Sequence, residues 1–284
     1  MKISAFINIF INLIKEVRRF LLYYYELRKH PKPKFKNDCH FPLAHNLRLL
    51  GYTTLSASET FSNIPTAKKI VNEYRLLDML PIEEVVKEVK YKRGRAYKKE
   101  LAAFFDPNTL LEYANDNYIV ENISQYFGFK PIIRHISVWL DCPTNDENSI
   151  ETQIFHRDPE DVKLVKTYLY LKDVNQLSGP FCYVEKSHLD PWHSFSKHYH
   201  TDKDIKCLYP KSNIISCTGT AGFFIMADVN GFHRGIKPKD DYRVLVTVYY
   251  SSDTPRHGLR QTVFDVNFSE ISKYGPTVQD YSYL

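Results

Sequence analysis

Three short stretches of this 284-residue chain carry residue types that can do chemistry together. In "QIFHRDPED" His156 and Asp158 stand two apart. On an extended backbone successive side chains alternate faces, so this imidazole and carboxylate point the same way while Arg157 points opposite. "DVNGFHRGIK" supplies a second imidazole, His233, and ten positions on Arg243 opens the apolar run "RVLVTVYY". Two imidazoles and one carboxylate offer a metal ion three ligands and leave its other positions open, the donor set suited to a non-heme iron(II) centre. Two open positions would take the keto oxygen and adjacent carboxylate of 2-oxoglutarate, and the last would take molecular oxygen. The far carboxylate then needs a fixed cation. Arg243 alternates with Leu245, Thr247 and Tyr249, so its guanidinium can lie inside a sheet and grip that carboxylate as a bidentate fork.

Other chemistries use some of the same residues. Histidine and carboxylate also bind zinc tetrahedrally, as in a hydrolase, and a non-catalytic jelly roll can bind a ligand through the same groups. Neither gives Arg243 a role. The histidine-rich "SHLDPWHSFSKHYH" places His198 and His200 two apart, but Pro191, Ser194 and Ser196 make it read as an exposed loop.

The elements that must position these groups change in texture at Gly128. Beyond it come short runs rich in β-formers, "IIRHISVWL", "IETQIFH", "LVKTYLYL", "PFCYV", "SNIISCT", "AGFFIMA" and "RVLVTVYY", mostly without helix-length intervals. That succession predicts an antiparallel sandwich or jelly roll, mainly β. Before Gly128 the pattern is helical, with Ile70, Val71, Tyr74 and Leu77 on one stripe. "DPNTLLEYANDNYIVENISQYFG" carries boundary signals in full: Asp106 caps, Pro107 opens and Gly128 stops. One domain is expected, with an amphipathic helix over 1–30, a mainly helical buttress over 31–128, the β core over 129–252 and a C-terminal extension over 253–284.

Taken together, "HRDPEDVKLVKTYLYLKDVNQLSGPFCYVEKSH", "GTAGFFIMADVNGFHRG" and "YRVLVTVYYSS" resemble the phytanoyl-CoA dioxygenase-like group of 2-oxoglutarate oxygenases. The similarity runs from about Ile132 to Ser252, less than half of the chain. It implies a double-stranded β-helix of the cupin-like, jelly-roll kind, with His156, Asp158 and His233 holding iron and Arg243 holding 2-oxoglutarate. The implied reaction hydroxylates a small metabolite or biosynthetic intermediate with release of succinate and carbon dioxide. Asp158 agrees with hydroxylation, because related halogenases carry a small residue there. A second cosubstrate contact falls to Lys166, Thr167 or Tyr168. Where the group often has P-G-S-H, this chain has "EKSH", Glu185 to His188.

The formal charge of +5 lies within the range of ordinary soluble enzymes. The basic run Lys87 to Glu100 interleaves Tyr91 and Tyr97, yet Glu88 and Glu100 interrupt it and no nucleic-acid module surrounds it, so nucleic acid is not expected. With Arg134, Arg157 and Arg234 the run suggests an anionic substrate; against this, Arg157 and Arg234 can pair with Asp240 and Asp241 instead. Five cysteines without a C-x-x-C pair fit free thiols in the cytoplasm. Near the start, the uncharged stretch Ile3 to Ile14 is 12 residues long, short of the roughly 20 that cross a bilayer. Ile7, Phe10, Ile14, Val17, Leu21 and Tyr24 recur at helical spacing opposite Asn8, Asn12, Lys15, Glu16 and Arg19. The reading is a helix packed on its own domain, with interfacial membrane contact as the other option.

Overall fold

The computed structural model describes residues 40–77, 98–145, 148–158, 160–161, 163–190 and 199–252, with single positions between 7 and 25 and at 82, 86 and 87. The C-terminal extension, His198 and most of the basic run therefore lie outside the described residues.

Helix α1 (Pro42–Leu50) turns through Gly51, at φ 86°, straight into strand β1 (Tyr52–Leu55). A side chain at Gly51 would meet the Tyr183 hydroxyl at 2.3 Å, so the close approach as well as the dihedral demands glycine. Ser56 and Glu59 cap α2 (Ala57–Asn63) reciprocally, and α3 (Pro65–Arg75) buries Ile70 and Val71 as their spacing predicts. Strand β2 (Lys98–Glu100) follows. The stretch from Asp106 to Gly128 forms two helices, α4 (Pro107–Ala114) and α5 (Asn117–Phe127), rather than one. Asp106, Pro107 and Gly128 act as expected, but Asp116 accepts from the Tyr118 amide at 2.9 Å and makes a second cap. The break frees α5 to dock on α1, whose first amides, Leu43 and Ala44, both donate to the Asn122 side chain at 3.1 Å.

The strands β3 (Ile132–Asp141), β4 (Leu164–Tyr170), β5 (Phe181–Val184), β6 (Ile214–Cys217), β7 (Phe224–Asp228), β8 (His233–Gly235) and β9 (Arg243–Ser251) pair antiparallel throughout. They form a six-stranded sheet, β1-β7-β4-β9-β3-β2, and a three-stranded sheet, β6-β5-β8. Both edges of the larger sheet thus come from the otherwise helical half of the chain. "IETQIFH" is not a strand. Glu151–Gln153 make a 3-10 turn, stapled by the Ile150 amide donating to the Gln153 side chain, and the backbones of Phe155 and His156 form only isolated bridges, to His200 and His233.

Strand alternation divides the core. Tyr168, Tyr170, Phe181, Tyr183, Ile225 and Leu245 pack between the two sheets. Val165, Leu169, Met226, Val246 and Val248 face the other way, against α1, α3, α4 and α5. β4 is buried along its whole length because both of its faces are covered.

The early helix departs from expectation. Positions 7, 10, 11, 13, 14, 17, 18, 21 and 25 are helical, but Ile7, Phe10, Ile14, Val17 and Leu21 are 50 to 59% exposed instead of packed on the domain. The sheet face that would receive them is already covered by the four helices just named. Tyr24 lies outside the described residues. Among the described residues, no helix is long and apolar enough to cross a membrane.

Candidate metal and cosubstrate site

His156, Asp158 and His233 come together in the fold, with one ligand atom of each within 4.8 Å of the others, and all three are buried. The histidines bridge one another through their backbones, so their register is shared. His156 Nδ1 lies 2.8 Å from the Ile154 carbonyl and His233 Nδ1 lies 3.0 Å from that of Gly231. With the ring protons on Nδ1, both Nε2 atoms turn toward Asp158, at 3.5 and 3.6 Å. Fixing a histidine through its second nitrogen is the usual way of aiming it at a metal. Burial, helped by the neighbouring His233, lowers the His156 pKa to about 3. Burial also pushes the Asp158 carboxyl up, but Lys166 and the two imidazoles outweigh it and hold the group well below its ordinary value. Neutral imidazole and ionised carboxylate are the ligand forms, so the donor set fits iron(II).

One turn positions two of these three side chains. The Asp158 amide donates to the Val229 carbonyl at 2.9 Å, and Gly231 supplies the acceptor for His233. Asp228 organises that turn: its carboxylate accepts from the Asn230 amide and side chain, both at 2.9 Å, and from the Tyr126 hydroxyl on α5. Its carbonyl accepts from Tyr183. The "EKSH" turn supports the same segment, with Ser187 Oγ donating to the Val184 carbonyl at 2.6 Å and accepting from the Phe232 amide at 2.8 Å. Lys186 there adopts φ 63°, the left-handed region that explains the glycine of the related motif.

The histidines open onto a pocket of about 650 Å³ including its mouth, whose walls include Trp139, Tyr168, Phe181, Leu245 and Tyr249. Arg243 lies in the same pocket and alternates with Leu245, Thr247 and Tyr249 as predicted. It already has a carboxylate partner, however. Asp141, directly opposite it in the β3–β9 register, accepts from Nε at 3.1 Å and from Nη2, while Nη1 donates to the Gly179 carbonyl. Lys98 Nζ lies 3.8 Å from the other Asp141 oxygen. Two cations around one carboxylate leave one net positive charge, and a guanidinium has five N–H donors, more than these contacts use. Sequence reasoning missed Asp141, whose partner is not visible locally, whereas Lys98 belongs to the basic run expected near the mouth.

The three residues considered for the second cosubstrate contact divide by strand face. Lys166 and Tyr168 line the pocket; Thr167 does not, because alternation sends it to the helix-covered face with Val165 and Leu169. Lys166 Nζ stands 2.5 Å from Asp158 Oδ2 and 3.9 Å above the Tyr249 ring. The arginines expected at the mouth also point elsewhere. Arg134 donates to Ser251 and Ser252, Arg157 to the Ser187 and Asp190 carbonyls, and Arg234 to Asp202. Asp241, offered as a partner for the latter two, is held by Lys172. The cations that line the pocket are Lys98, Lys166 and Arg243. Of the rival histidine cluster, His200 stacks edge-on to Phe232, and His156, Asp158 and His233 are the only metal-competent group among the described residues.

No protein-family model matches the sequence, and no curated protein does. Solved structures do. The non-heme alpha-ketoglutarate dependent epimerase SnoN from nogalamycin biosynthesis superposes with a TM-score of 0.52 at 17% identity, over 77% of this chain and 85% of SnoN. SnoN in complex with Fe3+, alpha ketoglutarate and nogalamycin RO gives 0.52 at 16%, over 78% and 87%. The carbocyclase SnoK of the same biosynthesis gives 0.50 at 15%, over 83% and 90%. The likeness is one of fold.

Proposed function

We propose that this protein is an iron(II)- and 2-oxoglutarate-dependent oxygenase of the phytanoyl-CoA dioxygenase-like kind. It is a double-stranded β-helix enzyme that hydroxylates a small molecule in the cytoplasm. One observation carries the reading: the two histidines of a two-histidine, one-carboxylate set line a single pocket with Arg243 and Lys98, which share one carboxylate and so keep one positive charge to spare. A zinc hydrolase or a plain ligand-binding module would have no use for the second half of that arrangement.

His156, Asp158 and His233 would hold the metal. Iron(II) with 2-oxoglutarate would there supply the activation of dioxygen for hydroxylation, with succinate and carbon dioxide as coproducts. The chain's own task is positioning and exclusion of water. Arg243 and Lys98, braced by Asp141, would take the distal carboxylate of the cosubstrate end-on. Lys166, held charged by Asp158, would neutralise carboxylate near the metal, with Tyr168 beside it. Trp139, Phe181 and Leu245 give the pocket apolar walls. Because the lining cations all face protein carboxylates, the substrate need not be anionic. Adding iron(II) and then 2-oxoglutarate without oxygen tests the assignment. A visible charge-transfer band is expected, absent in His156→Ala and Asp158→Ala, and a metal-loaded protein with no band would refute it.

A further inference from the structure

The early helix is absorbed by nothing in the site. At 100° per residue, Ile7, Phe10, Ile11, Ile14, Val17, Leu21 and Tyr25 fall within a sector of about 120°, and all seven are 42 to 59% exposed. The same spacing puts Lys15 at the flank of that sector and Glu16 and Arg19 across from it. Arg18 falls within the apolar sector, where its long stem can carry the charge out to a polar boundary. Arg28, Lys29, Lys32, Lys34 and Lys36 follow in the sequence, with no acidic residue from 27 to 36.

We infer that this helix lies in the interface of an anionic lipid bilayer, apolar sector down, and tethers the oxygenase domain to the membrane surface. Charge decides the occupant. A second copy of the helix would bring an equally cationic segment to the contact, whereas acidic headgroups complement Lys15, Arg18, Arg19 and the basic stretch after them. A helix lying in the surface needs no span of about 20 apolar residues, and no described helix has one. The core is closed without the helix, so membrane contact does not require the domain to open.

Flotation of the full-length protein on vesicles tests this, and it needs neither metal nor turnover. The protein should float with vesicles of phosphatidylcholine and phosphatidylglycerol, float far less with phosphatidylcholine alone, and release as salt rises. Phe10→Asp with Ile14→Asp should abolish flotation. Lys15→Gln, Arg18→Gln and Arg19→Gln together should weaken it about 150-fold, at about 1 kcal/mol per lost charge. Phe10→Asp with Ile14→Asp should keep the melting temperature of the parent, because both side chains are exposed. The inference is overturned if the parent stays at the bottom of the gradient, if Phe10→Asp with Ile14→Asp floats equally, or if acidic lipid makes no difference. It is also overturned if sedimentation shows self-association that Ile14→Asp dissolves while vesicles go unbound.

Discussion

Arg243 and Asp228 do different work at the residue scale, and each can be tested separately. On the proposed reading, Arg243→Gln removes a cosubstrate partner but no metal ligand. Calorimetry should show 2-oxoglutarate bound roughly 10- to 150-fold more weakly, the equivalent of a charged hydrogen bond of about 1.5 to 3 kcal/mol, with metal affinity unchanged. Lys98→Met, on the more exposed side of the same carboxylate, checks that the loss is not simply unfolding. Asp228 touches no ligand directly, yet it holds the turn whose carbonyls set Asp158 and His233. Asp228→Ala should weaken metal binding by about tenfold or more, while Asp228→Asn, which keeps an oxygen for the Asn230 amide, should recover part of it. Equal affinity in all three proteins would show that the turn holds itself.

At the scale of elements, the period of two along β4 and the pairing of β3 with β9 make the predictions. Thr167→Val should leave 2-oxoglutarate affinity unchanged, because its face belongs to the helices, whereas Lys166→Met one position earlier should lower turnover sharply. Comparable effects from both would mean that β4 is not held in this register. Across β3 and β9, burial raises the Asp141 pKa but Lys98 and Arg243 outweigh it and leave the carboxyl below its ordinary value. A depressed carboxyl contributes stability that is present above the unfolded pKa, about 4, and is lost as pH falls through the folded one. Melting temperatures followed from neutral pH into acid should therefore fall less steeply in Asp141→Asn than in the parent. At neutral pH the variant should be the less stable by about 3 to 5 kcal/mol, because Arg243 is left buried beside a neutral group.

On the scale of the whole molecule, the metal site joins segments that the sheets alone leave loosely tied. His156 and Asp158 sit outside regular strands, while His233 begins β8 in the smaller sheet. A metal that binds only the folded chain should stabilise it by about 2.7 kcal/mol at a hundredfold excess over its dissociation constant. That corresponds to several degrees in melting temperature for a chain of this size. Nickel(II) with 2-oxoglutarate should raise the melting temperature, a chelator should reverse the rise, and His233→Ala should be indifferent to both.

The sequence determined what depends on local spacing. The candidate residues His156, Asp158 and His233 are legible by type and order, while the shared face of Arg243, Leu245, Thr247 and Tyr249 and the caps at Asp106 and Gly128 follow from residue type and local period, which a chain carries without knowing its neighbours. The sequence does not say which face of β4 looks inward, so it could not separate Thr167 from the pair Lys166 and Tyr168. Tertiary structure decided the rest. Asp141 meets Arg243 across a sequence separation of 102, Tyr126 reaches Asp228 from a helix, and the mouth arginines turn away to backbone carbonyls and Asp202. Pairings of that kind are set by strand order and register, which arise from the simultaneous burial of many side chains and leave no mark in any one stretch of residues.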